Sequence, residues 1–181
     1  MSQRRILIAG VGNIFLGDDA FGVEVARRLA ERDLPRGVDV VDFGIRGMDL
    51  ALELLKPHHA VILIDAAPRG SEPGTLHALA VAGEDVEDKD DESCSLSTHN
   101  LDPVHALRLA RTMGGPAQRV FLVGCEPVIQ EQDMSMDMSA PVAGAVEEAV
   151  GMVERMARRL AAELTRDGPD RSTTDSQGEY A

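Results

Sequence analysis

Ala60-Val61-Ile62-Leu63-Ile64 is an unbroken apolar run, and Ile6-Leu7-Ile8-Ala9 is a second one, closed by Gly10. Short runs without polar alternation read as strands covered on both faces. Such strands need helices above and below them, and the chain supplies these in alternation. After Gly17 comes a helical pattern in which Ala20, Val23, Val25, Ala26, Leu29 and Ala30 form an apolar face, with Glu24, Arg27, Arg28, Glu31 and Arg32 mostly opposite. Asp18 and Asp19 stand where a cap and an acidic first turn belong.

The rest of the chain keeps this rhythm. Val38-Asp39-Val40-Val41-Asp42-Phe43 reads as the second strand, and 48–55 as a short helix stopped by Pro57. After the third strand, Pro73-Gly74 turns into 75–81, a weaker strand expected at an edge. Asp102-Pro103 opens a helix over 104–113, with Pro at its first position. Val120-Phe121-Leu122-Val123 is the last strand. A final helix begins near Ala140-Pro141 and carries Val142, Val146, Val150, Val153, Met156 and Leu160 at helical spacing. The order β-α-β-α-β-β-α-β-α predicts a single-domain α/β fold, with a mostly parallel, five-stranded twisted sheet and helices on both faces.

One domain over residues 1–166 suits a chain of 181 residues. Residues 167–181 read as a disordered polar tail and 84–92 as a solvated acidic loop. A net charge of −13 repels phosphate backbones, and aromatic residues at 3% leave few stacking platforms, so nucleic acid is excluded as a partner. Two cysteines, Cys94 and Cys125, make no disulfide framework. The opening apolar run is too short for a signal-peptide core or a membrane span, so a cytoplasmic protein without membrane insertion is expected.

In an open parallel sheet, ligands bind beyond the carboxyl ends of the strands. That rule brings Asp19, Asp42, Asp65, Cys125 and Glu126 to one rim, with His99 able to join them from a loop, and sends His58 and His59 to the other. Asp19, Asp65 and His99 combine hard oxygens with an imidazole, a set suited to nickel, zinc or a similar divalent ion. Each also has a plainer reading: helix-terminus charge, turn brace and loop histidine. Cys125 admits a nucleophile, against the plainer reading of a small buried side chain closing the last strand. A dinucleotide fingerprint after the first strand fails because Phe15 stands where its third Gly belongs, and two acidic residues follow where phosphate should sit.

The run Gly10-Val11-Gly12-Asn13-Ile14-Phe15-Leu16-Gly17-Asp18-Asp19-Ala20-Phe21-Gly22-Val23 resembles the opening signature of the hydrogenase maturation endopeptidases. The likeness continues through Asp42-Phe43-Gly44-Ile45-Arg46-Gly47-Met48, Val61-Ile62-Leu63-Ile64-Asp65-Ala66, Pro73-Gly74-Thr75-Leu76, Ser97-Thr98-His99-Asn100-Leu101 and Val123-Gly124-Cys125-Glu126-Pro127. The resemblance implies a phosphorylase/hydrolase-like three-layer sandwich. It also implies an endopeptidase that removes the C-terminal extension of a nickel–iron hydrogenase large-subunit precursor after nickel insertion.

By the same resemblance, the metal-contacting positions fall on Asp19, Asp65 and His99. They would touch nickel held by the precursor, with no tightly bound metal of the enzyme's own. Either the ion polarises the scissile carbonyl or a carboxylate activates water; Asp42 is a candidate for that acid or base, or else it stabilises its turn. Arg46 is expected to contact the precursor. The chain departs from many relatives at Phe43 and Ile45-Arg46, where theirs is a smaller, Gly-rich turn, and some carry Glu where Asp19 stands. The partner is the precursor and the protein itself is expected to be a monomer. Two rival readings are a non-catalytic nickel-sensing chaperone and a small-molecule hydrolase using Cys125.

Overall fold

The two apolar runs become neighbouring strands inside one sheet. The computed structural model describes residues 5–81, 103–128 and 137–166. Its strands are β1 (Arg5–Val11), β2 (Val38–Gly44), β3 (His58–Ala66), β4 (Leu76–Val81) and β5 (Arg119–Cys125), and its helices are α1 (Phe21–Ala30), α2 (Gly47–Leu54), α3 (Pro103–Thr112) and α4 (Ala140–Arg166). A short 3-10 turn, Gly17–Ala20, precedes α1. The strand order is β2-β1-β3-β5-β4. β1 pairs in parallel with β2 and β3, and β3 with β5, whereas β4 runs antiparallel to β5 at the edge.

Successive side chains in a strand point to opposite faces, so each apolar run feeds two cores. Ile6, Ile8, Ala60, Ile62, Ile64 and Val123 pack on one face against Phe21, Val25 and Leu29 of α1 and Val142, Val146, Val150 and Val153 of α4. Leu7, Ala9, Val61, Leu63 and Val120 pack on the other face against Leu50 and Leu54 of α2 and Ala106, Leu107 and Ala110 of α3. A fully buried aliphatic side chain contributes about 1.5–3 kcal/mol, and these dozens of contacts dominate the fold. Exposed ion pairs such as Arg158 with Glu154 at 2.7 Å add about 0–1 kcal/mol each.

Glycine decides how closely α1 sits on the sheet. A Cβ at Gly22, in the first turn of α1, would collide with the carbonyl oxygens of Ile64 and Val11. The start of α1 therefore lies directly over the ends of β1 and β3. At Gly12, φ is +136°, and a Cβ would overlap the carbonyl oxygen of Asp19. These close approaches explain the glycine-rich opening without any phosphate.

The expected five-stranded, mostly parallel sheet with helices on both faces is present, with β4 at the edge. Element ends differ by a residue or two, because ladder hydrogen bonds extend the strands past their apolar centres. His58 and His59 belong to β3 instead of preceding it, though they stay at its amino end, on the rim opposite the carboxyl ends. Asp18 and Asp19 do not cap α1. They occupy the 3-10 turn, and the N-cap position, Ala20, has no side-chain bond. The acidic loop 84–92 and the tail 167–181 lie outside the described residues.

Candidate active site at the carboxyl rim of the sheet

β1, β2, β3 and β5 are parallel, so their carboxyl ends form one rim. β1 lies between β2 and β3. The chain leaves β1 for α1 on one face, whereas α2 and α3 cover the other. The junction of β1 and β3 is therefore where the connections diverge, the place where an open α/β sheet forms its crevice. Asp19 follows β1 in the 3-10 turn, which packs against β3. Asp65 is the penultimate residue of β3, half-buried, and pairs with Gly124 of β5.

The Asp19 carboxylate is built into its loop. Its Oδ2 accepts the Asn13 N–H at 2.7 Å, while the Asp19 N–H donates to the Leu16 carbonyl at 3.0 Å. Asn13 Oδ1 in turn accepts the Phe15 N–H at 3.0 Å. Burial pushes the Asp19 carboxyl above the ordinary aspartate range, and the Asn13 N–H pulls it partly back. A desolvated carboxylate with one oxygen committed to the backbone suits contact with a cation, which relieves the cost of its burial.

Asp18, read from sequence as a helix cap, is a buried clamp. Its Oδ2 accepts the Val128 N–H at 2.8 Å and the Ser139 hydroxyl at 2.9 Å. Its Oδ1 accepts the Ser139 N–H at 2.6 Å. One carboxylate thus joins the first rim loop to the exit of β5 and the approach to α4. Nothing local in the sequence marks this role, because its partners lie more than a hundred residues away.

Glu126 is a second buried brace. Its oxygens accept the N–H groups of Arg69 at 2.8 Å and Gly70 at 3.0 Å, and His77 Nε2 lies 3.9 Å away. Burial alone would raise its pKa, but the backbone N–H groups of Arg69, Ser71 and Gly70, together with His77, hold it below the ordinary glutamate range. Ala67 N–H donates to the Cys125 carbonyl at 2.9 Å, so the loop leaving Asp65 is fastened to the end of β5.

Cys125 is fully buried within the core on the α1 and α4 side. Burial, then the negative charges of Asp18 and Glu126, push its thiol up to about 11. At neutral pH it is a protonated packing residue and a poor nucleophile. Asp42 lies exposed at the end of β2, opposite Gly10 of β1. Arg46 is exposed too, but its guanidinium curls back: Nε donates to the Phe43 carbonyl at 3.1 Å and Nη2 to the Asp42 carbonyl. It also sits 5.9 Å from the Phe43 ring centroid and 3.4 Å from the Asp49 carboxylate. Arg46 thus fixes the turn after β2. His99 and Cys94 lie outside the described residues, and among the described residues no three His, Cys, Asp or Glu side chains form a metal cluster.

Sequence and structure comparisons agree on relatives. Residues 23–156 match the family described as hydrogenase maturation protease. The chain is 31% identical to the hydrogenase expression/formation protein HupD of Rhodobacter capsulatus, a match covering 90% of this chain and 75% of that one. It is 34% identical to the hydrogenase 2 maturation protease of Escherichia coli, over 68% of this chain and 73% of that one. The solved structure of the hydrogenase maturating endopeptidase HybD from E. coli superposes with a TM-score of 0.63 at 31% identity, covering 86% of this chain and 93% of the other. A rim built from strand ends, a family match across most of the fold and structural likeness over 86% of the chain lead to one assignment: this chain belongs to the hydrogenase maturation proteases, a family of peptide-bond hydrolases.

Proposed function

We infer that this protein removes the C-terminal extension of a nickel–iron hydrogenase large-subunit precursor once nickel has been inserted. Asp19, Asp65 and His99 contact the nickel held by the precursor, which makes the ion a mark of a completed substrate. The observation that carries this reading is the half-buried Asp19 carboxylate, held by the Asn13 N–H in the turn packed against β3, the strand that bears Asp65. Two hard carboxylates there fit a divalent ion, and an imidazole completes a borderline donor set. Asp42, exposed on the neighbouring strand end, is proposed as a further acid or base.

Rival chemistry at Cys125 is disfavoured by its burial and raised pKa. The decisive experiment is the intact mass of nickel-loaded and nickel-free precursor after incubation with this protein or its His99→Ala variant. Loss of a C-terminal peptide only with nickel and unaltered protein is the expected result. Cleavage of nickel-free precursor at the same rate would overturn the metal-reading role, and tight binding without any cleavage would favour a nickel-sensing chaperone. Asp42→Asn is expected to lower kcat by about tenfold or more with KM little changed. An unchanged kcat would return Asp42 to a turn-stabilising role.

A further inference from the structure

Large apolar side chains are exposed beside this rim, while the central strands β1 and β3 are largely buried. Ile14, Phe15 and Leu16 are 49%, 55% and 42% exposed; Ile45 of the adjoining turn and Met48 at the start of α2 are 60% and 47% exposed. The chain has only four Phe residues, and one of them is spent on this surface. The two groups follow neighbouring strand ends: Ile14–Leu16 follow β1, Ile45 and Met48 lie in the turn after β2 and the first turn of α2, and the Gly12 N–H donates to the Gly44 carbonyl at 3.1 Å between the two connections. Single exposed hydrophobes are ordinary, but a group of five at one end of a sheet marks a contact surface.

The backbone of the first group is also held in place. The Phe15 N–H is fixed by Asn13 Oδ1, the Leu16 N–H donates to the Asn13 carbonyl at 3.1 Å, and Asn13 itself is held by the Asp19 carboxylate. Ile14–Leu16 therefore move with Asp19 as one unit. A macromolecule whose metal reaches Asp19 must lie over the side chains only three to five residues away in the same turn.

We propose that Ile14, Phe15, Leu16, Ile45 and Met48 form the docking surface for an apolar face of the large-subunit precursor bordering its metal. This rests on the function proposed above and adds where the substrate's body sits. Apolar burial supplies affinity without regard to orientation, and the Asp19 carboxylate in the same loop supplies the register. The patch thus acts on substrate capture and not on the bond-breaking step.

Steady-state cleavage of nickel-loaded precursor tests it, with the unaltered protein, an Ile14→Ser/Phe15→Ser/Leu16→Ser triple variant, an Ile45→Ser/Met48→Ser double variant and Met113→Ser as control. Met113 is equally exposed, at 50%, but lies just past α3 near the opposite rim. Both patch variants are expected to raise KM by about tenfold or more with kcat within about twofold, and Met113→Ser to leave both unchanged. An unchanged KM in both patch variants, or a fall in kcat alone, would overturn the proposal. A photo-crosslinking phenylalanine analogue at position 15 gives a second readout that preserves the fold. It is expected to attach to the precursor, and the same probe at position 113 is not. Failure of the unaltered protein to cleave any precursor would instead sink the proposed function, and the crosslink at position 15 would then decide the docking surface alone.

Discussion

Two acidic neighbours, Asp18 and Asp19, are chemically identical in sequence and divide the labour in the fold. Asp18 spends both oxygens on Val128 and Ser139, and Asp19 keeps part of its carboxylate for the rim. Asp18→Asn preserves the shape but leaves three donors facing an amide with one acceptor oxygen. An unsatisfied buried group costs about 1–3 kcal/mol, so a fall in thermal stability of that order is expected in calorimetry. Cys125 offers a complementary check. Because its thiol is buried and pushed up to about 11, it is expected to resist iodoacetamide in the native protein at pH 7 and to react once the protein is unfolded, as peptide mass mapping would show. Cys125→Ala is expected to cleave precursor within about twofold of the unaltered rate; a loss of activity without loss of fold would revive the cysteine mechanism.

At the level of elements, the site depends on how closely α1 lies over β1 and β3. Gly22→Ala would place a methyl group against two backbone carbonyls, which cannot move aside as a flexible side chain can. The expected loss is about 3 kcal/mol or more, read as a lower denaturant midpoint. Retention of full stability would show that α1 tolerates a shift from the sheet. Strand and helix order was legible because the 60–64 run and the alternating helices leave few arrangements. The gathering of Asp19 and Asp65 at one rim was legible too, since it follows from parallel strands alone. The clamp at Asp18, the brace at Glu126 and the inward curl of Arg46 were not. Each depends on partners brought by tertiary packing, and residue type says only that an acid or a cation is present. The glycine-rich turn had invited a phosphate reading; in the fold its glycines serve helix–sheet contact.

Across the whole molecule, acid should act on stability through Glu126. Its folded pKa lies below the ordinary 4.5, so its contribution is present above that value and disappears as pH falls through the folded value. The melting temperature is expected to drop on acidification, and Glu126→Gln to be less stable at neutral pH with a shallower acid limb. An identical acid limb in the variant would remove Glu126 from that account. Residues 167–181 are polar, rich in Ser, Thr, Asp and Gly, so their deletion is expected to leave melting temperature and cleavage unchanged.

The Asp18 clamp has a temporal side as well. It ties the opening loop to Val128 and Ser139, which are 110 and 121 positions further along. Contacts of such separation close late. A ribosome-bound fragment ending before Ser139 can hold its central strands and still lack a fastened loop beneath Asp19. The loop that carries Asp19 is thus fastened only once the last third of the chain has been made.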